Sequence, residues 1–276
     1  MTTTKTGKKK SLIIMQRLVI GWAVFLLILG LTACGTGMEE EKPSAIDNRI
    51  NTLSSNEKAE GWILLFNGLD FEGWRGLGRE SIPEGHWTVE NGFLKKIPSG
   101  DVPLQEDGQP VEGGDILTEE TFVDFDLRFE WKICPGGNSG IKYNVSESMS
   151  VSFPPEFAAL GFEYQILDDN GHPDAQNGAN RTAAALYDIS APGNKNLKPV
   201  GEWNSGRIFF KGNHGEHWLN GQKVLEFDLD TPEMEKRLKA SKYSIYEGFG
   251  SKRKGHIVIQ DHTDAAWYRN IKIKIL

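Results

Sequence analysis

The chain has 276 residues, with 31 Lys and Arg against 38 Asp and Glu, a formal net charge of −7. An acidic body lacks the basic footprint that nucleic-acid recognition needs, which excludes a nucleic-acid partner; it suits solubility and a neutral substrate. No Gly-rich phosphate loop, dinucleotide fingerprint or CxxC zinc pair is present, which disfavours nucleotide and redox roles.

At the amino terminus, Lys5, Lys8, Lys9, Lys10 and Arg17 precede an apolar run from Leu18 to Leu31. The 14 residues of that run are short for a membrane span, which takes about 20. A basic start, a short apolar stretch and small residues before a cut site predict a secretory signal over 1–33. Leu31-Thr32-Ala33-Cys34 resembles a bacterial lipobox, which implies lipidation of Cys34 and a lipid-anchored protein of the bacterial cell envelope, facing the periplasm or the cell surface. Loss of 1–33 removes five positive charges and no acid, leaving 243 residues with a formal charge of −12. That length can bury a core of adequate size. Residues 34–59 then read as the lipidated cysteine and a flexible linker, polar and marked by the acidic run Glu39–Glu41. The folded domain is expected over 60–276.

Within that domain strand signals dominate. Trp87-Thr-Val-Glu-Asn-Gly-Phe-Leu-Lys carries an Asn-Gly hairpin signal, because a type I′ turn needs positive φ at both central residues. In Asp124-Phe-Asp-Leu-Arg-Phe-Glu-Trp-Lys, strict alternation puts Phe125, Leu127, Phe129 and Trp131 on one buried face. A second Asn-Gly turn, Asn220-Gly221, follows a strand expected to start at Gly215. Period two sets His217 and Leu219 on one face of it and Glu216 and Trp218 on the other. Trp62 and Trp87 read as core. Pro232–Ala240, after Thr231 as N-cap, is the one helix expected. Many short strands between Gly-rich turns predict an all-β sandwich or barrel.

Several segments together carry a family resemblance. Gly61-Trp-Ile-Leu-Leu-Phe-Asn-Gly-Leu-Asp-Phe-Glu-Gly-Trp opens the domain; Gly137-Asn-Ser-Gly-Ile, Glu163-Tyr-Gln-Ile-Leu-Asp, Gly201-Glu-Trp-Asn and His217-Trp-Leu-Asn-Gly follow. Gly255-His-Ile-Val-Ile-Gln-Asp-His and Trp267-Tyr-Arg-Asn-Ile close it. In this order, over roughly 60–276, they resemble the 3-keto-disaccharide hydrolase domain family. The resemblance implies a concanavalin A-like jelly roll of two antiparallel sheets. It also implies cleavage of glycosides or oligosaccharides first oxidised at C3 by a partner sugar 3-dehydrogenase.

Such chemistry sets the residues required. A ketone at C3 acidifies the C2 proton and makes the C1 aglycone a β leaving group. The site needs a base near C2, donors or a metal at the C3 oxygen, and an acid near C1. Glu163 is the candidate base, expected on a central strand. His217 or His262 would protonate the leaving oxygen or serve as base instead. Gln165, two residues from Glu163 on the same face, would hold a sugar hydroxyl, while Asn138 and Lys142 would bind the developing enolate. Asp261 would orient a histidine or cap a turn. Trp203 and Trp267, beside polar clusters, are candidate platforms for a sugar ring, and Glu202 is a candidate substrate contact. The resemblance supports Glu163, Gln165, Asn138, His217 and His262 as motif positions. His256 and Arg269 read as structural, and His214 as a loop residue.

Two other readings stay open. Glu163-x-Gln165-x-x-Asp168 has the spacing of the acidic motif of laminarinase-type jelly rolls, although a retaining glycosidase needs two carboxyls about 5–5.5 Å apart and the middle position here is glutamine. An inverting pair of Glu163 with Glu202 is the remaining form of that reading. The other is a non-catalytic carbohydrate-binding module, for which aromatic platforms and amides suffice. No cofactor is assigned, and a divalent metal stays open. His172, Asp168, Asp169 and Asp174 surround a turn that could take calcium or another divalent ion, but Asx-turn chemistry accounts for them more simply. The rim of the site is expected from Ser146–Ala159.

Overall fold

The computed structural model of the chain describes residues 50–100, 103–104, 110–153 and 158–276. The expected signal peptide and the lipidation site Cys34 lie outside the described residues. Two antiparallel sheets make the domain. The larger holds β1 (Trp62–Leu64), β3 (Trp87–Glu90), β4 (Phe93–Lys96), β6 (Phe125–Ile133), β9 (Asn204–Lys211), β10 (His214–Leu219), β11 (Gln222–Asp228) and β13 (Ala266–Ile275). The smaller holds β2 (Trp74–Gly76), β5 (Ile116–Thr118), β7 (Asn138–Val145), β8 (Phe162–Leu167) and β12 (His256–Ile259). Their spatial orders are β11-β10-β9-β6-β13-β4-β3, with β1 also beside β13, and β2-β5-β12-β7-β8. Consecutive strands pair in β3-β4, β7-β8 and β9-β10-β11, while the remaining neighbours are not consecutive in the chain, as in the jelly roll that the family resemblance implies.

Alternation fixes which faces meet. Phe125, Leu127, Phe129 and Trp131 are all buried between the sheets. Phe129 meets Tyr164 edge-on at 5.3 Å, and Phe125 meets Tyr143 at 6.2 Å, so aromatic pairs join one sheet to the other. The two Asn-Gly turns have the backbone that their residues favour: φ is 53° and 79° at Asn91 and Gly92, and 49° and 81° at Asn220 and Gly221.

Several local expectations differ from the structure. Of the linker expected over 34–59, residues 50–59 form part of the folded domain. Asn51 is buried and exchanges hydrogen bonds with Asn270, at 2.7 and 2.8 Å. Ser54 and Glu57 form a capping box on α1 (Ser55–Ala59), which Lys272 holds through Glu57. Composition missed this because the segment contributes polar pairings, not apolar burial. Besides the expected helix, here α3 (Pro232–Ala240) with Thr231 capping Met234, there is α2 (Glu147–Ser150). Elements of four or five residues are too short to show a helical period. Strand β10 starts at His214, one residue early, with His214 paired to Asp228 at 2.9 Å. Finally, β8 is the last strand of its sheet, not a central one; the stretch 184–187 hydrogen-bonds along its outer edge.

Candidate functional site

Period-two geometry gives the smaller sheet one apolar and one polar face. On β7 and β8, Ile141, Tyr143, Phe162, Tyr164 and Ile166 turn into the core, which leaves Asn138, Gly140, Lys142, Glu163 and Gln165 on the other side. Register sets Lys142 opposite Glu163 and Gly140 opposite Gln165. This polar face is not open to solvent: Asn138, Lys142, Glu163, Gln165, Gln260 and Asp261 are all buried. Ala159, at the end of the stretch expected to form the rim, borders this face. Arg75 clamps Glu147 of α2 with two 2.6 Å hydrogen bonds, and the Ala159 carbonyl accepts from Lys142 Nζ at 3.2 Å. On the other flank, the turn after α3 brings Tyr243, stacked on Phe249 at 4.1 Å, with its hydroxyl 3.5 Å from Glu163 Oε2.

The Glu163 carboxylate leans over Gly140. A Cβ at Gly140 would stand 2.6 Å from Glu163 Oε1, so glycine is what leaves room for it. Lys142 Nζ lies 4.0 Å from Glu163 and 3.7 Å from Asp115, a buried ammonium between two carboxyls. Asp115 also accepts from the backbone N–H of Asp261 at 2.8 Å and of Ala159 at 3.3 Å. Burial nevertheless raises its pKa. Asp261 continues the cluster: Lys96 Nζ is 3.2 Å from Oδ1, and His86 Nδ1 is 2.5 Å from Oδ2. Burial lowers the Lys96 pKa, while the pKa of Asp264, beyond Asp261, is pushed up to about 6 by burial. Four carboxyls share two ammonium groups here, an arrangement suited to acids that hold or take up protons.

The structure thus gathers Glu163, Lys142, Gln165, Asn138, Asp261 and His262 at one sheet, and separates the rest. His217 is the main correction. It faces the inter-sheet core, where its Nε2 meets the Tyr143 hydroxyl at 2.9 Å and its Nδ1 lies 3.1 Å from the Ala184 carbonyl. Burial lowers its pKa to about 4. On the same strand face as Leu219, it went inward with that leucine. Trp203 and Trp267 belong to the outer face of the larger sheet, not to the Glu163 face. Arg269 stacks on Trp203 at 4.1 Å, and Lys132 lies 4.8 Å from Trp267. Glu202 is exposed on the loop before β9, lining a cavity of about 460 Å³ with Trp131, Asp168, Lys195 and Asn204. Arg269, hydrogen-bonded to Glu130 at 2.6 Å, pins strands as expected. Sequence reasoning missed His86, Asp115, Lys96 and Tyr243, which reach the site from outside the quoted motifs; only position in the fold identifies them.

The turn considered for calcium uses its own carboxylates. Asp168 accepts from the N–H groups of Gly136, Asn170 and Gly171, at 2.8, 3.1 and 3.0 Å. Asp174 binds Arg181 at 2.9 Å, and Asp169 binds Lys195 at 2.6 Å. His172 instead groups with His262 and Asp264, with ligand atoms within 4.8 Å of one another. The numbers of nitrogen and oxygen donors would suit a transition metal better than calcium. Yet His172 Nδ1 accepts the Asp174 N–H at 3.1 Å, which leaves the ring proton of a neutral histidine on Nε2. Binding an ion at Nε2 would require breaking that cap or losing the proton. The other such group, His214, Glu216 and Glu226, already contains the Lys223 ammonium.

Comparison with known proteins places this site in context. Residues 61–274 match the profile of the 3-keto-alpha-glucoside-1,2-lyase-like domain. A Bacteroides thetaiotaomicron protein named 3-keto-disaccharide hydrolase is 38% identical over 245 residues, covering 82% of each chain. A crystal structure of a glycosyl hydrolase candidate from Parabacteroides distasonis superimposes with a TM-score of 0.71 at 31% identity, covering 83% of this chain and all of that one. A second from the same organism gives 0.57 at 25% identity, covering 78% of this chain and 99% of its own.

Proposed function

Because the chain belongs to the 3-keto-alpha-glucoside-1,2-lyase-like family, matched over residues 61–274, we propose that this carbohydrate-active enzyme cleaves glycosides already oxidised at C3, with Glu163 as its base. The observation that carries the reading is the Glu163 carboxylate, buried over Gly140 with an ammonium 4.0 Å away. A carboxylate taken out of water and aimed along a polar face is a base held for proton transfer. Glu163 removes the C2 proton, and the charge that develops on the C3 oxygen is stabilised by the Lys142 ammonium and amide donors of Asn138 and Gln165. Expulsion of the C1 oxygen completes an elimination, and addition of water to the enone gives net hydrolysis. The two steps accommodate both a lyase, as in the family description, and a hydrolase, as in the name of the B. thetaiotaomicron relative.

Double displacement on an unoxidised glycoside fits less well. Its second carboxyl would be Asp168, whose two oxygens are taken by three backbone N–H groups. The substrate must come from a sugar 3-dehydrogenase, since the chain itself has no dinucleotide fingerprint. The proposal includes a signal over 1–33 and a lipid on Cys34, which would hold the domain at the cell envelope. The test is turnover of a 3-keto-glucoside beside its unoxidised parent, with and without chelator, in wild type and Glu163→Gln. Cleavage of the keto-sugar alone, lost in the variant, supports the reading. Sugar binding without turnover of either compound overturns it in favour of a binding module.

A further inference from the structure

An elimination needs an acid at the leaving oxygen as well as a base at C2, and neither histidine anticipated from the motifs is ready for it. His217 is enclosed in the core, and His262 packs edge-on against His172 at 5.8 Å. His86 has a different setting. Its Nδ1 stands 2.5 Å from Asp261 Oδ2, and its side chain is 20% exposed while that of Asp261 is wholly buried. A carboxylate beside Nδ1 requires that nitrogen to carry the hydrogen, so Nε2 is the position left for exchange with a substrate. A base or acid oriented by a third group in this way is the usual arrangement of a catalytic histidine.

The pair is firmly built. Asp261 Oδ1 accepts the Thr263 N–H at 3.0 Å and lies 3.2 Å from Lys96 Nζ. Gly114 makes room beneath it: a Cβ there would fall 1.9 Å from Asp261 Oδ2 and 2.4 Å from His86 Nδ1. The pair is also tied to Glu163. The Asp261 N–H binds Asp115, Asp115 lies 3.7 Å from Lys142, and Lys142 lies 4.0 Å from Glu163. Gly140, under the Glu163 carboxylate, lies on β7, and Asp115 immediately precedes β5, with β12 between those two strands.

We propose that His86 is the acid of the reaction and that Asp261 is its positioning residue. This rests on the reading of the protein as a 3-keto-glycoside-cleaving enzyme. Glu163 takes the C2 proton, the C2–H electron pair becomes the C1=C2 bond, and the C1–O bond breaks. The aglycone oxygen keeps that bond pair and receives the Nε2 proton of the His86 imidazolium. The products are one alcohol and one enone, and nothing is oxidised or reduced. A protonated Glu163 and a neutral His86 remain, and proton exchange with water resets both.

The test compares two aglycones. Methyl 3-keto-glucoside expels a strongly basic alkoxide and needs the acid; 4-nitrophenyl 3-keto-glucoside expels a weakly basic phenoxide and does not. In His86→Gln, kcat/KM for the methyl compound should fall by about 100- to 10,000-fold, the usual worth of general acid catalysis. The fall for the nitrophenyl compound should be under about tenfold. Asp261→Asn, which keeps the shape but not the charge, should show the same selectivity at smaller amplitude and is the second variant should His86→Gln not fold. Equal losses with both aglycones, or none with the methyl compound, would overturn the assignment while leaving the family chemistry intact. If wild type cleaves neither compound, the underlying reading fails with it.

Discussion

His217 allows a quantitative test of the structure through pH. The ring is buried completely between the sheets, and burial depresses its pKa from 6.5 to about 4. In the unfolded chain it titrates near 6.5, so between those values the unfolded state holds the extra proton. The stability linked to this group is therefore fully present above pH 6.5 and is lost as the pH falls toward 4. At 1.36 kcal/mol per unit, the wild type should lose about 2.5 kcal/mol through this group between pH 7.5 and 4.5. His217→Gln removes the titration. It should lower stability at pH 7.5 by about 1–3 kcal/mol, because the Tyr143 hydroxyl and Ala184 carbonyl lose a good partner. Its loss of stability on acidification should then be about 2.5 kcal/mol smaller than that of the wild type. Urea unfolding of both proteins at a series of pH values, followed by far-UV circular dichroism, gives the two curves. Parallel curves would mean that the His217 ring takes up its proton as readily folded as unfolded, contrary to its burial in the core.

Other substitutions probe the site and its supports. Gly140→Ala places a methyl where the Glu163 carboxylate lies, and kcat should fall about 100-fold, the scale of a 1 Å misplacement; an unchanged kcat would show that this carboxylate position is not the reactive one. Lys142→Met leaves Asp115 and Glu163 without their shared buried ammonium and should cost about 3–5 kcal/mol in urea unfolding. Asn51→Ala removes the Oδ1 that accepts from the Asn270 N–H and the Nδ2 that donates to the Gly92 carbonyl and should cost about 1–3 kcal/mol, whereas a flexible linker at this position would give no change.

The sheet framework was legible in the sequence because its signals are local. Asn-Gly turns require positive φ at adjacent residues, and Phe125 to Trp131 alternate without a break. The candidate site was legible where a quoted motif carries it, as at Glu163 and Gln165, at Asn138 and Lys142 on the strand paired with theirs, and at Asp261 and His262 just after β12. Period two grouped His217 with Leu219 but could not say which face was inward; the leucine was the available clue. His86, Asp115 and Tyr243 lack such a pattern. Each is a single residue brought to Asp261 or Glu163 by contacts spanning 80 or more positions in the chain. Trp203 and Trp267 misled because aromatic residues beside polar ones also describe an outer sheet face, where here they stack with Arg269 and Lys132.

In the proposed reaction Glu163 removes the proton at C2 before the glycosidic bond is lost. The most direct test is the rate of cleavage of a 3-keto-glucoside carrying deuterium at C2, set against the unlabelled compound, in wild type and in Glu163→Gln. A primary isotope effect on kcat/KM is expected in the wild type, with loss of turnover in the variant. Equal rates for the two isotopologues, with cleavage surviving in Glu163→Gln, would contradict it.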